Sequence, residues 1–238
     1  MTMTAPTVSP AERARRLEIT RNGLRKALAA HALRLDRLAF EPDGALVVEG
    51  EAESVAAKKR ALRLAAILSN APGIADRLHV RPGGAATDDQ IRDHLLDLYT
   101  LDPRFAGLEA RPGDGGARGI GVSVQDGVVT LNGETTGLVS KRLAGVIAWR
   151  ASGVRDVING LAVEPPEEDG PDQLEEAVRE ALDGHPLFDD TQVKVGVFGD
   201  AVRLTGLVHT EDARRAAEEE AWRVLGVDEV INEIAVSA

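Results

Sequence analysis

Residues 200–206 read DAVRLTG, and residues 226–232 read GVDEVIN. The first stretch is a turn followed by a short strand that closes on a glycine. The second opens on a glycine and continues as a strand with alternating aliphatic residues. The two glycines, Gly206 and Gly226, are 20 positions apart. That length suits one helix, so the region is predicted to form a strand, a helix and a second strand in succession.

Both patterns recur earlier in the chain. Residues 126–133 read DGVVTLNG and residues 153–159 read GVRDVIN, again with 20 positions between the corresponding glycines. In a further pair, DGALVVEG at 43–50 and GIADRLHV at 73–80, the glycines are 23 positions apart. Recurrence at a fixed spacing indicates an internal repeat. We therefore predict three copies of one unit, of which the first is divergent.

The third copy shows the order of the elements most clearly. Pro171 is placed to begin a helix, and the residues on either side of Gly199 alternate as a β-hairpin. Thr210 is a suitable N-cap for a helix that ends at Gly226, and residues 230–236 form a last strand. The predicted fold class is therefore α+β, with three tandem two-layer αββαβ units, each a three-stranded mixed sheet with two helices on one face.

Linkers rich in proline, glycine and acidic residues indicate the domain boundaries. We predict a flexible N-terminus at residues 1–12, a divergent first repeat at 13–82, a second repeat at 87–165 and a third at 170–238. The glycine-rich segment 111–119 of the second repeat is expected to be a mobile surface insertion.

The repeated pattern is a hairpin that closes on glycine, an alanine-rich helix, and a last strand that opens with Gly-Val and carries an asparagine. This pattern resembles the BON domain family. The residues that carry the resemblance are Gly133, Gly153, Asn159, Gly206, Gly226 and Asn232. The resemblance implies a noncatalytic binding module, because BON family members are associated with phospholipid surfaces, osmotic stress and potassium. We interpret the six residues as structural, with the asparagine amides bonding to backbone groups of turns.

No constellation of catalytic residues is recognisable in the sequence. The chain has no cysteine, and its five histidines show no spacing typical of a metal site. The sequence also lacks a phosphate-binding glycine loop and the G-x-S-x-G pattern of hydrolases. We therefore predict no enzyme, no catalytic or metal-ligating residues and no cofactor, while an oxygen-ligated cation such as potassium or calcium stays open.

The net charge of −11 is unevenly distributed along the chain. Residues 1–82 contain 14 Lys and Arg against 9 Asp and Glu, and residues 83–238 contain 14 against 30, so the two parts carry +5 and −16. This split favours an anionic partner for the first part, or association between oppositely charged ends of neighbouring copies. Nucleic acid is disfavoured as a partner, because the acidic remainder would repel phosphates.

The N-terminal segment predicts a basic amphipathic helix. Its leucines share one stripe at helical spacing, and His31 is expected to pack on that stripe. Such a stripe with a basic complement is typical either of core packing in the first repeat or of a helix on an anionic membrane surface. The leucines of the stripe are Leu17, Leu24, Leu28, Leu35 and Leu38.

Two tryptophans, Trp149 and Trp222, hold matching positions, each four residues before the glycine that opens the last-strand pattern. At the margin of the apolar helix face they either cover an edge between repeats or anchor the protein on another subunit or a membrane. The candidate interaction surface consists of Trp149, Trp222, Arg13, Arg16, Arg25, Lys26, Lys58, Lys59 and Arg60.

The sequence predicts a cytoplasmic location. No stretch approaches the ~20 apolar residues needed to span a bilayer, and the first residues lack the apolar core of a secretory signal. The predicted function is a noncatalytic binding protein, peripheral to a phospholipid surface or engaged in stress-related interactions. Two alternatives stay open: a self-assembling homo-oligomeric scaffold and a cytoplasmic potassium-binding protein.

Overall fold

The described chain has an α+β fold. Six α-helices and three mixed sheets are present in the described residues, which confirms the predicted fold class. The chain divides into two compact units, one ending at Arg81 and one beginning at Pro82. We call them unit 1 and unit 2. The computed structural model describes residues 9–29, 32–183, 185–188 and 192–237.

Unit 1 contains one αββαβ repeat. Its elements are α1 Pro10–Ala27, β1 Leu33–Phe40, β2 Leu46–Ala52, α2 Val55–Ser69 and β3 Ile74–Val80. The sheet has the order β1-β2-β3, in which β1 is antiparallel and β3 parallel to the central strand. Residues from all five elements form one core: Leu24, Leu38, Leu46, Val48, Ala61, Ala65 and Leu78.

The leucine stripe of the N-terminal segment is divided between two elements. Helix α1 ends at Ala27, and Leu35 and Leu38 lie on β1. The prediction of one helical stripe through all five leucines is therefore wrong. The sequence LRLDRLAF at residues 33–40 also alternates with the period of a strand, and pairing with β2 selects that period.

Part of the N-terminal segment is outside the described residues. This holds for residues 1–8, on which most of the predicted flexible N-terminus falls, and for His31. The described part begins at Ser9, whose hydroxyl accepts a hydrogen bond from the Glu12 N–H at 3.2 Å. Ser9 is thus the N-cap of α1, and the helix includes Pro10 in its first turn.

Unit 2 contains two repeats, of which repeat two comes first. The sheet of repeat two has the order β4-β5-β6-β7, and the short strand β8 pairs with β6. Its last strand is thus split into β7 and β8. The elements are α3 Asp88–Leu101, β4 Glu109–Pro112, β5 Gly119–Gln125, β6 Val128–Thr135, α4 Leu138–Arg150, β7 Asp156–Asn159 and β8 Ala162–Val163.

The glycine-rich segment of repeat two connects β4 to β5. Its first residues belong to β4, which pairs in parallel with β5. A Cβ atom on Gly121 would lie 2.2 Å from the backbone nitrogen of Gly115, so the segment packs closely over β5. Main-chain pairing at β4 and close glycine contacts thus place this stretch against the sheet, and its mobility stays a prediction.

Repeat three follows the predicted order of elements. They are α5 Pro171–Leu182, β9 Val193–Phe198, β10 Ala201–Val208, α6 Glu211–Arg223 and β11 Glu229–Val236. The sheet order is β11-β10-β9, with β9 antiparallel and β11 parallel to β10. Thr210 caps α6 as predicted, since its hydroxyl accepts a hydrogen bond from the Ala213 N–H at 3.1 Å.

Candidate interaction surfaces

The middle and last strands have the same register in all three repeats. Partners across these two parallel strands are 28 positions apart in each case. The first repeat therefore has the same length between these strands as the other two. The corresponding pairs are Leu46 with Ile74, Val128 with Asp156, and Ala201 with Glu229.

This register shows which residue of the first repeat corresponds to Gly153 and Gly226. The residue 20 positions after Gly50 is Asn70, which caps α2 and has a left-handed backbone with φ of 49°. Gly153 and Gly226, at the same distance from their closing glycines, have φ of 91° and 94°. The assignment of Gly73 to this place is wrong. Asparagine is among the few residues that adopt the left-handed region readily, so the substitution preserves the turn.

Each closing glycine is required by a close backbone approach. A Cβ on Gly50 would lie 1.9 Å from the carbonyl oxygen of Arg34, and a Cβ on Gly206 would lie 1.9 Å from that of Gln192. Gly133 has the same relation to a carbonyl of β5 at 2.3 Å. All three have φ between 114° and 153°. Glycine is needed here because both the backbone angle and the space exclude a side chain.

The asparagines of the last strands connect sheet and helix. Asn159 Nδ2 donates to the carbonyl oxygen of Lys141 on α4 at 2.7 Å. Asn232 Nδ2 donates to the carbonyl oxygen of Arg214 on α6 at 3.1 Å and to Glu218 Oε2 at 3.1 Å. The side-chain oxygen of each asparagine accepts a backbone N–H from two residues further along the chain. These bonds fix the helix on the sheet.

Unit 1 has an ion pair at the equivalent place. Asp76 lies 26 positions after Gly50, as Asn232 does after Gly206. Its Oδ1 accepts the Leu78 N–H at 2.9 Å, and its Oδ2 lies 3.0 Å from Lys58 Nζ. The Lys58 side chain is only 7% exposed. Lys58 therefore cannot belong to an outward-facing surface as predicted, because it is buried and paired with the last strand.

The two tryptophans differ in exposure. Trp222 is 2% exposed and lies in the core of unit 2, whereas Trp149 is half-buried. Trp222 is therefore not accessible to an outside partner in this fold, and of the two only Trp149 stays a candidate for one. Their matching sequence positions do not reveal this difference, because both helices pack against their own sheets and the neighbouring helices around them differ: α4 contacts α3, α5 and α6, whereas α6 contacts α4 and α5.

Repeats two and three are joined by charged side chains, of which Arg142 and Glu220 are buried and Arg150 is partly exposed. Arg142 of α4 is 4% exposed, and it donates to the carbonyl oxygen of Leu225 at 2.9 Å and to Asp169 Oδ1 at 2.7 Å. Arg150 donates to Glu220 Oε2 at 2.9 Å and to the carbonyl oxygen of Ala181 at 2.6 Å. Buried charges such as Arg142 and Glu220 are tolerated only when they are paired and hydrogen-bonded, and here they have partners in the other repeat or in the linker between the repeats.

Glu220 is the centre of this network. Its side chain is 4% exposed and also accepts from Arg223 on the same helix. His185 Nε2 lies 4.0 Å from Glu220 Oε1, and the His185 ring stacks on Phe188 with 4.6 Å between centroids. Burial lowers the pKa of His185 below its ordinary value, an effect that Glu220 opposes and that Arg150 and Arg223 reinforce.

The helices of unit 1 expose cations together with aliphatic residues. On α1, Arg15, Ile19 and Lys26 form an exposed stripe, and Ile19 is 45% exposed. On α2, the exposed stripe consists of Arg60, Arg63 and Ile67, and Ile67 is 65% exposed. We call these six residues the helical face of unit 1. Neither isoleucine is among the surface residues predicted from the sequence, because that prediction rests on the leucine stripe and the cations.

The other predicted cations of unit 1 lie around this face. Arg25 is exposed on the same helix as Lys26, and Lys59 precedes Arg60 on α2 and is half-buried. Arg13 and Arg16 are half-buried near the start of α1, where Arg16 Nε pairs with Glu12 Oε1 at 3.0 Å. The structure thus brings most of the predicted cations to the helical layer of unit 1.

The described residues contain neither a membrane-spanning helix nor a cluster of metal ligands. Within those ranges, no helix is both long and apolar enough to cross a membrane. Over the same residues, no group of three His, Asp or Glu side chains is placed to hold a metal ion.

Comparison with known proteins gives a family match. No curated protein matches the chain. The chain is similar to two solved structures of CdsD, the structural protein of the type III secretion system of Chlamydia trachomatis. The C-terminal domain of CdsD matches with 16% identity over 93% of this chain and 97% of that one, with a TM-score of 0.26. The other structure matches with 16% identity over 92% and 91%, with a TM-score of 0.25.

The family model of the BON domain matches two segments, residues 106–165 and 171–238, which together make up more than half of the chain. These segments contain the closing glycines, the left-handed glycines and the sheet-to-helix asparagines of repeats two and three. BON membership of the first repeat stays a prediction that rests on its shared register. With two matched repeats, the chain belongs to the BON domain family.

Proposed function

We propose that this protein is a noncatalytic binding protein whose unit 1 attaches to an anionic phospholipid surface. The observation that supports the proposal best is the helical face, where an exposed isoleucine lies among exposed cations on each of two helices. Exposed aliphatic side chains flanked by Lys and Arg are typical of helices that lie on a membrane surface.

The two helices are close neighbours. A Cβ atom on Gly23 of α1 would lie 2.3 Å from Leu68 Cδ1 of α2. Ile19 lies one helical turn before Gly23, and Ile67 directly precedes Leu68. Both isoleucines therefore flank the same helix contact and can enter one surface together.

The charge of unit 1 favours the same partner. Residues 1–82 carry +5, and each Lys or Arg close to an anionic bilayer contributes about 1 kcal/mol of attraction. Two inserted isoleucines add an apolar contribution of a few kcal/mol at most, since about 2 kcal/mol is expected for each fully buried side chain. Binding is therefore expected to need both anionic lipid and low or moderate salt.

Vesicle flotation with the full chain tests the proposal. We expect the protein to float with phosphatidylcholine vesicles that contain phosphatidylserine, and not with phosphatidylcholine alone. High salt is expected to release it. Ile19→Ser combined with Ile67→Ser should lower the bound fraction several-fold, as should Arg15→Glu combined with Arg60→Glu.

Ile158→Ser is the matched control, because Ile158 in repeat two is an isoleucine of similar exposure, at 55%. This variant is expected to float like the unchanged chain. Absence of flotation at low salt would rule out the proposal. Equal flotation of the control and of the Ile19→Ser, Ile67→Ser variant would also contradict it.

The remaining predictions on function rest on the sequence alone. The cytoplasmic location, the stress-related role and the binding of potassium or calcium stay predictions. Calorimetric titration with each ion tests the last of these, and a melting shift with one ion at matched ionic strength is the expected sign of binding.

A further inference from the structure

Unit 1 has a groove between its first helix and its first strand. Arginines from both elements surround it, and leucines form its apolar floor. Its volume is about 600 Å³, and Asp36 is its acidic residue. We call it the basic groove and define it by Arg21, Arg25, Leu28, Arg34, Leu35 and Arg37.

Repeat three has a groove at the corresponding place, between α5 and β9. Its volume is also about 600 Å³, but its helix side is mostly acidic. Arg179 in this groove is paired with Glu175 at 2.5 Å, and Lys194 is the cation on the strand side. We call it the acidic groove and define it by Glu176, Glu180, Asp183, Val193, Lys194 and Val195.

The surroundings of the two grooves differ in charge. The part of the chain up to residue 82 carries +5. Residues 170–238 contain 16 Asp and Glu against 6 Lys and Arg, a net charge of −10. Attraction between such regions is long-ranged at low salt and steers the approach of one copy to another.

In repeat two, a further strand occupies the place that corresponds to the two grooves. The strand of repeat two that corresponds to β1 and β9 is β5. It is not at the edge of the sheet, because β4 pairs with it in parallel from Glu109 opposite Gly119 to Pro112 opposite Val122. Strand β4 also packs against α3, the first helix of that repeat. Within the described residues, β1 and β9 have a neighbouring strand on one side only. The edge that β4 covers in repeat two is thus open in the other two repeats.

We infer that this protein self-associates head to tail, with the β1 edge of one copy pairing with the β9 edge of a second copy. The exposed main chain of the two edges supplies the hydrogen bonds, and the opposite charges of the basic and acidic grooves select the partner. Each copy has one edge of each kind, so the contact joins different surfaces. Such contacts produce open chains or closed rings.

Light scattering of the full chain in lipid-free buffer tests the inference. We expect a mass that rises with protein concentration to at least twice the 25.3 kDa of the monomer at low salt, and that returns to the monomer value at high salt. Lipid-free buffer separates this result from the vesicle experiment, so that each proposal can fail without the other.

Charge exchange between two variants gives the sharper test. Arg21→Glu with Arg25→Glu makes both grooves of a chain acidic, and Glu176→Lys with Asp183→Lys makes both basic. Each variant by itself should stay monomeric, and an equimolar mixture should regain the associated mass. Arg15→Glu with Arg60→Glu is the matched control, which changes charge on the helical face and should keep the associated mass.

Two results would overturn the inference. One is a monomer at every concentration of the unchanged chain at low salt. The other is a mixture that stays monomeric although both variants melt like the unchanged protein. If the chain is monomeric and the Arg21→Glu, Arg25→Glu variant loses vesicle flotation, the basic groove is a lipid site instead.

Discussion

Unit 1 and repeat three form the same αββαβ fold with different polar chemistry at one position. Both have a closing glycine, a left-handed residue 20 positions later, and a polar residue 26 positions later. At this last place, Asn232 bonds to a helix carbonyl, whereas Asp76 pairs with the buried Lys58.

The comparison separates two kinds of constraint. A closing glycine occupies a space in which any Cβ would overlap a carbonyl oxygen, so one residue type fits. The connection between last strand and helix needs only a satisfied hydrogen bond or ion pair, which several residue combinations supply. The difference between Asp76 and Asn232 is of the second kind.

The largest expected effect comes from the shared framework. Gly206→Ala places a Cβ about where the Gln192 carbonyl oxygen lies, at a φ of 137°. We expect a loss of about 3 kcal/mol or more in the free energy of unfolding, measured by urea denaturation. Gly196→Ala is the control, because its Cβ would lie 3.9 Å from Phe198 Cε2, at ordinary van der Waals distance. Similar losses for both variants would contradict the framework argument.

A smaller loss of stability is expected from a change at the junction between repeats two and three. Glu220→Gln removes the charge that Arg150 and Arg223 share. Because those two arginines are partly exposed, we expect unit 2 to lose about 2 kcal/mol, less than for a fully buried pair. Glu175→Gln changes the exposed pair with Arg179 and is expected to cost at most about 0.5 kcal/mol. Thermal melting of the two variants at the same urea concentration compares their losses of stability. Equal melting points would argue against a role of Glu220 in coupling repeats two and three.

Exchanging the polar residues tests the comparison directly. Asp76→Asn removes the carboxylate that faces the buried Lys58, and Asn232→Asp places a carboxylate against Glu218 and a helix carbonyl. We expect each change to cost about 1–2 kcal/mol in urea denaturation, even though each residue is native in the other repeat. A neutral result for both would show that the two connections are interchangeable.

The smallest expected effect is a dependence on pH. Since burial lowers the pKa of His185, the unfolded chain binds a proton more readily than the folded one. The stability is therefore full above the unfolded value of 6.5 and decreases as the pH falls through the lower folded value. Melting temperatures between pH 7.5 and 5 should fall less for His185→Gln. A parallel fall in both proteins would exclude His185 as the cause.

Local sequence patterns determine most of the repeat structure. The recurrence of glycines at a spacing of 20 identifies the hairpin, the helix and the last strand, because positive φ and close backbone approach restrict those positions to very few residues. Alternation and helix caps then place β9, β10, α5 and α6 within about three residues of their ends. The family resemblance follows from the same positions.

Contacts between distant segments determine the rest. The burial of Lys58 and Trp222, the pairing of β4 with β5, and the left-handed Asn70 all depend on which surfaces pack together. The periodicity of the sequence does not show whether a lysine on a helix is exposed or is buried and paired with a residue of a strand. The sequence therefore specifies the repeat through backbone sterics, whereas the available surfaces, including the helical face and the two grooves, follow from tertiary packing.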